Sequence, residues 1–186
     1  MKRNTFTLIE ILGVVAVIAI LATLGFAGYS YANNKSKESA TQGLITRLDA
    51  AFDLGRQKSG FMPPALNVFV PVTIDIANNK LTIGSEEYTA SASGNERYKA
   101  EFCKSFFKAL EADSMKRFLG DDNKVIDAWG GVVYYRYPGR FNKGGVDLIS
   151  AGIDGTFGTD NGETPPDAIG KYRDNGEWIC DDIANF

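Results

Sequence analysis

The chain contains no histidine. That removes the commonest general base, the usual serine and cysteine triads and most zinc chemistry. Carboxylates, carbonyls and hydroxyls remain as metal donors, and such oxygens suit calcium. Cysteine is scarce: Cys103 and Cys180 form no C-x-x-C pair. In an oxidising compartment they can form a disulfide, and in a reducing one they stay as buried thiols; their spacing does not choose between the two. Basic excess is also missing. Lys and Arg number 20 against 23 Asp and Glu, for a net charge of -3. Phosphate backbones need clustered positive charge, so no nucleic-acid partner is expected. Without histidine, a nucleophile constellation or a phosphate loop, an enzyme is not expected either.

What is present is a hydrophobic content of 44% in 186 residues, enough for one modest packed domain plus an extension. The extension is at the N-terminus. Met1 to Thr5 is short, polar and basic, and from Phe6 the chain reads FTLIEILGVVAVIAILATLGFAGYSYA. Roughly 20 apolar residues cross a bilayer as a helix. Lys2 and Arg3 keep the short end cytoplasmic, so the bulk of the chain faces outward. Glu10 interrupts the apolar run, and a carboxylate at membrane depth is costly unless it has a partner or a function. A cleaved secretory signal has a shorter apolar region and no acid there. A plain single-span anchor accommodates the length but not Glu10.

The leader followed by FTLIE resembles the class III signal of type IV pilins and type II secretion pseudopilins. The resemblance implies that a prepilin peptidase cuts after Thr5 and methylates the new amine of Phe6. It also implies that Glu10, then the fifth residue, pairs with the terminal amine of a neighbouring subunit during assembly. Two opposite charges buried together avoid the cost of either alone. Thr5 stands where the family has Gly, and Ala27 where many members carry a kinking Pro. Without Pro nothing forces a kink there, and Gly25 and Gly28 are softer weak points.

Beyond the membrane, Ala40, Leu44, Leu48, Ala51 and Phe52 recur at helical spacing, so one face of a continuing helix packs on something. The helix should stop near Ser59-Gly60, before Met62-Pro63-Pro64. From Phe6 to Lys58 such a helix is near 80 Å long, at about 1.5 Å per residue. Val72, Ile74 and Ile76 alternate with polar residues, Asn78-Asn79 turns the chain, and Leu81 to Ile83 returns, which predicts a hairpin. Tyr98, Phe102, Phe106 and Leu110 predict a second helix over 96–110. Residues 132–137 and 146–149 read as strands, separated by Pro138-Gly139 and Gly144-Gly145. Residues 155–176 are rich in Gly, Asp, Asn and Pro and read as a long loop. Tyr134, Tyr135 and Tyr137 read as half-buried strand residues rather than a stacking platform, and Trp129 as a core anchor.

Asp127-Ala128-Trp129-Gly130, an aromatic strand, DLISAGIDG and the terminal DDIANF resemble, in that order, the C-terminal half of the major pseudopilin of type II secretion systems. The middle of the chain, about residues 65–120, is only loosely alike, and the loop over 162–179 is longer than the family's. The resemblance implies a calcium site. Asp154, Asp160, Asn161, Asp181 and Asp182 are its candidate ligands, with Leu148 and Ser150 offering backbone or hydroxyl oxygens. Taken without the resemblance, these acids are as readily solvated turn residues.

The expected fold is therefore α+β and pilin-like, with a long N-terminal helix packed on a small antiparallel sheet and a C-terminal loop. Its expected organisation is a leader over 1–5, a transmembrane or filament-core helix over 6–28, an amphipathic outer half over 29–60 and a head over 61–186. The resemblance implies a single-pass inner-membrane subunit with its head in the periplasm, which then enters a periplasmic or extracellular filament. Its implied partners are copies of itself, the prepilin peptidase, and an inner-membrane assembly platform with its ATPase. A true type IV pilus subunit, for adhesion, motility or DNA uptake, and a single-span anchored ligand-binding ectodomain are the alternatives.

Overall fold

The computed structural model describes residues 8–91, 93–158, 162, 165, 172–174, 177–178 and 180–186. Thr5, Phe6, Asp160 and Asn161 lie outside the described residues. Contacts divide the chain into a first unit ending at Ser36 and a second from Lys37 to Phe186.

The first element, α1 (Leu8–Ser59), has 52 residues. Its first-unit portion is long and apolar enough to cross a membrane. From Leu8 to Tyr31 the side chains described are exposed on every face. No proline falls in α1, so no backbone donor is lost from its ladder. Gly60 follows with φ +69 and donates its N–H to the Arg56 carbonyl, 2.8 Å. A left-handed glycine just past the last turn is a common helix stop.

Within the second unit, α1 buries Thr41, Leu44, Ile45, Leu48, Ala51 and Phe52. This is the expected apolar stripe, widened by Thr41 and Ile45, while Ala40 is only half-buried. Six strands form an antiparallel sheet: β1 (Ala65–Asp75), β2 (Lys80–Ile83), β3 (Glu86–Thr89), β4 (Tyr134–Tyr137), β5 (Asp147–Ser150) and β8 (Ile183–Ala184). Their order is β3-β2-β1-β4-β5-β8. Between β5 and β8, β6 (Arg173–Asp174) and β7 (Glu177–Trp178) make a separate two-stranded ladder. The expected hairpin is β1–β2, where Val72 pairs with Ile83 and Ile74 with Leu81, and Asn79 takes φ 48 in the turn. Burial alternates along β2, with Leu81 and Ile83 inward, the period of a half-buried strand.

The second long helix is α2 (Arg97–Leu110), followed by the short α3 (Ala112–Met115). Its buried face carries Ala100, Phe102, Cys103, Phe106, Phe107 and Leu110. The expected stripe is thus rotated, because Tyr98 remains exposed and only edges onto the Phe61 ring, with centroids 5.1 Å apart. Phe52 sits at the centre, its ring 4.9 Å from that of Phe106 and 4.6 Å from that of Tyr135. The Tyr135 hydroxyl donates to the Pro63 carbonyl at 2.6 Å, so this buried phenol is satisfied.

Gly55 sets how closely α1 meets the Phe102 ring: a Cβ there would lie 2.6 Å from it. Phe102 is fully buried and has no free side to move into. Gly55→Ala is therefore expected to cost about 1–3 kcal/mol as overpacking. Gly43, exposed on the same helix with nothing within 4 Å of a Cβ, gives the opposite sign. Gly43→Ala is expected to stabilise by about 0.5–1 kcal/mol. Chemical unfolding of the full chain in detergent, followed by near-ultraviolet circular dichroism, checks both signs.

Candidate functional site

Two features stand out: the exposed start of α1, and the junction between the turn after β5 and the C-terminus. Glu10 lies in the first turn of α1 and is exposed. An acid in the first turn complements the positive end of the helix dipole.

At the C-terminal junction, Gly152 takes φ +68, and a Cβ on it would stand 2.1 Å from the Asp181 carbonyl oxygen. Glycine is what lets the terminal segment cross the turn there. Asp154 donates its N–H to Asp181 Oδ2 at 2.9 Å, and Thr156 donates to Asp154 Oδ1 at 2.8 Å. Asp182 Oδ2 accepts the Gly158 N–H at 2.6 Å and the Cys180 thiol at 2.9 Å. Asp182 Oδ1 is buried without a hydrogen-bond partner among the described residues. Burial raises the Asp182 pKa above its usual range, and the charges of Asp181 and Asp154 push the same way. Two donors on Oδ2 oppose the shift.

Asp154, Asp181 and Asp182 are therefore brought together. Ser150 and Leu148 are committed elsewhere. Ser150 Oγ donates to Asp127 Oδ2 at 2.5 Å and accepts the Gly152 N–H at 3.2 Å. The Leu148 N–H goes to Asn185 Oδ1, and its carbonyl accepts the Asn185 N–H. Among the described residues no group of three or more Asp, Glu or Cys is placed to hold a metal ion. The donor chemistry nevertheless fits a hard cation at one point. Asp182 Oδ1 is a buried carboxylate oxygen that no described residue bonds, and neighbouring acids repel it.

Three further residues, each inside a segment that carries the resemblance, organise the junction in roles that spacing alone does not show. Asp127, buried, accepts the N–H groups of Trp129 and Gly131, each at 2.8 Å, besides the Ser150 hydroxyl. Asn185 donates through Nδ2 to Asp49 Oδ1 and to the Val146 carbonyl, each at 2.9 Å, and so ties the last turn of the chain to α1. Asp147, fully buried, pairs with Arg136 at 2.6 Å and accepts the N–H groups of Arg140, Phe141 and Asn142. Periodicity carries none of this: Ser150 meets Asp127 and Asn185 meets Asp49 across 23 and 136 residues, and the shorter-range bonds of Asp127 and Asp147 lie in turns.

The cysteines are free. Cys103 belongs to the main core and Cys180 packs on the smaller cluster around Tyr172 and Phe157. Burial pushes each thiol up to about 12. Trp129 packs against the main core as expected.

Because the folded Asp182 carboxyl binds its proton at higher pH than the ordinary 3.8 of an unfolded chain, it favours the folded state as pH falls. The contribution is complete below about 3.8 and lost as pH rises through the raised value. Asp49 acts in the same direction, chiefly through burial. In chelator, Asp182→Asn is expected to unfold at higher temperature than the parent at pH 7, with the gap closing toward pH 4. Thermal unfolding of both full chains across that range isolates Asp182 from Asp49.

No family model, curated protein or solved structure matches the chain.

Proposed function

We propose that the chain is a structural subunit of a type IV pilin-like filament and not an enzyme. Within that class it is closest to the major pseudopilin of a type II secretion system, which pushes folded proteins across the outer membrane. The observation that carries this reading is the first part of α1: an apolar helix exposed on all sides, with a single acid, Glu10, in its first turn. Such a surface is stable in lipid or bundled with its own kind, and nowhere in water. The subunit is held in the inner membrane with its head in the periplasm. After the prepilin peptidase frees Phe6, the platform and its ATPase draw it into the filament. There Glu10 neutralises the terminal amine of a neighbour, since neither charge is affordable alone in an apolar bundle.

Calcium belongs to this reading as the clip of the C-terminal junction. Asp154, Asp181 and Asp182 are its carboxylates, completed by Asp160 and Asn161 of the intervening loop. Its chemistry is simple: a divalent cation offsets the burial, and the lesser repulsion from Asp181 and Asp154, that raise the Asp182 pKa.

A second reading rests on Thr5. Without the glycine that the family has before the cut, the leader can stay in place, and the chain is then an anchored ectodomain that binds a ligand and never polymerises.

Two experiments test the proposal. Glu10→Leu, expressed in cells that assemble the parent chain, is expected to retain membrane insertion and a folded head yet to lose sedimentable filaments. Filaments at the parent's level would refute the role of Glu10, and a parent chain that itself yields no filaments would favour the ectodomain. For the clip, millimolar calcium is expected to raise the unfolding temperature of the parent chain by mass action, and Asp182→Asn is expected to abolish most of that rise.

A further inference from the structure

We propose that Tyr29 and Tyr31 form an aromatic collar that seats α1 at the outer membrane–water boundary, and that this register holds Glu10 at the opposite boundary rather than at membrane depth. The inference rests on the membrane-anchored reading above.

The apolar run between Glu10 and Tyr29 is Ile11 to Gly28, 18 residues. At about 1.5 Å per residue this spans about 27 Å, close to the roughly 30 Å of a bilayer's hydrocarbon core. The run holds one polar side chain, Thr23, and its hydroxyl donates to the Ala19 carbonyl at 2.8 Å, so it presents no open donor to lipid. The outward limit is chemically sharp, and the inward one is a charge with Leu8 and Ile9 before it. At the outward end, Tyr29-Ser30-Tyr31 leads into Asn33, Asn34 and Lys35.

The geometry of the two tyrosines separates a collar from a packing face. A packing face places its large residues three or four apart, on one side of the helix. Tyr29 and Tyr31 are two apart, which turns them about 200° from each other at 3.6 residues per turn. They stand on nearly opposite sides, 71% and 74% exposed, and neither has a hydrogen-bond partner among the described residues. Rings that encircle a helix at one level suit a planar boundary, where the apolar body meets acyl chains and the hydroxyl meets water.

Glu10 and Tyr29 are nineteen residues apart, about 28 Å along the axis. With the collar at the outer boundary, the carboxylate falls at the inner one, among headgroups and water. The resting subunit thus avoids the cost of a charge in hydrocarbon, and that cost arises only when the helix leaves the bilayer for an apolar bundle.

The test uses the full chain in vesicles of phosphatidylethanolamine and phosphatidylglycerol, with a membrane-impermeant maleimide. Single reporters are Leu24→Cys, Phe26→Cys, Ser30→Cys and Asn34→Cys. The natural thiols, raised to about 12 by burial, give the low background. Positions 24 and 26 are expected to be protected, and 30 and 34 to react. In Tyr29→Leu/Tyr31→Leu the apolar run lengthens and loses its collar, so position 30 is expected to become protected. Tyr29→Trp/Tyr31→Trp is expected to keep it reactive. A protected stretch whose edge ignores both double variants would overturn the collar while leaving the anchor standing. The absence of any protected stretch would overturn the anchor itself, and the collar with it.

Discussion

The structure depends on one constraint: the first part of α1 is an apolar surface that no described residue of its own unit covers. Hydrophobic surface of this extent has to be removed from water. The head cannot be understood apart from that demand, because it is built on the continuation of the same helix. Where α1 enters the second unit, its exposure falls to one stripe, and Leu44, Ile45, Leu48 and Phe52 become the floor of the core. One continuous element thus changes from apolar all round, long enough to cross a membrane, to apolar on one side only.

The head adds a second layer of control at its end. Four consecutive features of the terminal segment each do a separate task. Asp181 and Asp182 receive the turn after β5, Ile183 and Ala184 add the edge strand β8, Asn185 reaches Asp49 on α1, and Phe186 packs on Phe141 and Tyr172. The arrangement concentrates acids in one place and leaves Asp182 Oδ1 buried without a partner among the described residues. A proton or a cation relieves that strain, and the two make opposite demands on pH.

Elements with a strong period were legible in the sequence. The helical stripe of α1, the β1–β2 hairpin around Asn78-Asn79 and the α+β layering all follow from local patterns of two or 3.6 residues. Where the pattern is weak, reading failed in definable ways. The first half of β1 was hidden because Pro63-Pro64 stand just before it and Pro71 just after it, and the ladder with β4 shifts register between Ala65 and Val70. The buried face of α2 was misjudged at Tyr98, since an amphipathic ring at the rim of a core scores as core. Of the candidate site, the gathering of Asp154, Asp181 and Asp182 was legible through the resemblance. The diversion of Ser150 to Asp127 and of Leu148 to Asn185 was not, because hydrogen bonds between residues 23 and 37 apart leave no trace in spacing.

If the bare span of α1 exists to be covered by copies of itself, the most direct measurement is electron cryo-microscopy of the polymer sheared from cells that overproduce the chain. The account predicts a helical filament whose central density is a bundle of α1 segments over residues 8–28, with heads outside and Glu10 within reach of a neighbour's terminal amine. A filament with the apolar segments on its outer surface would contradict it, as would recovery of the chain only as monomers in the membrane.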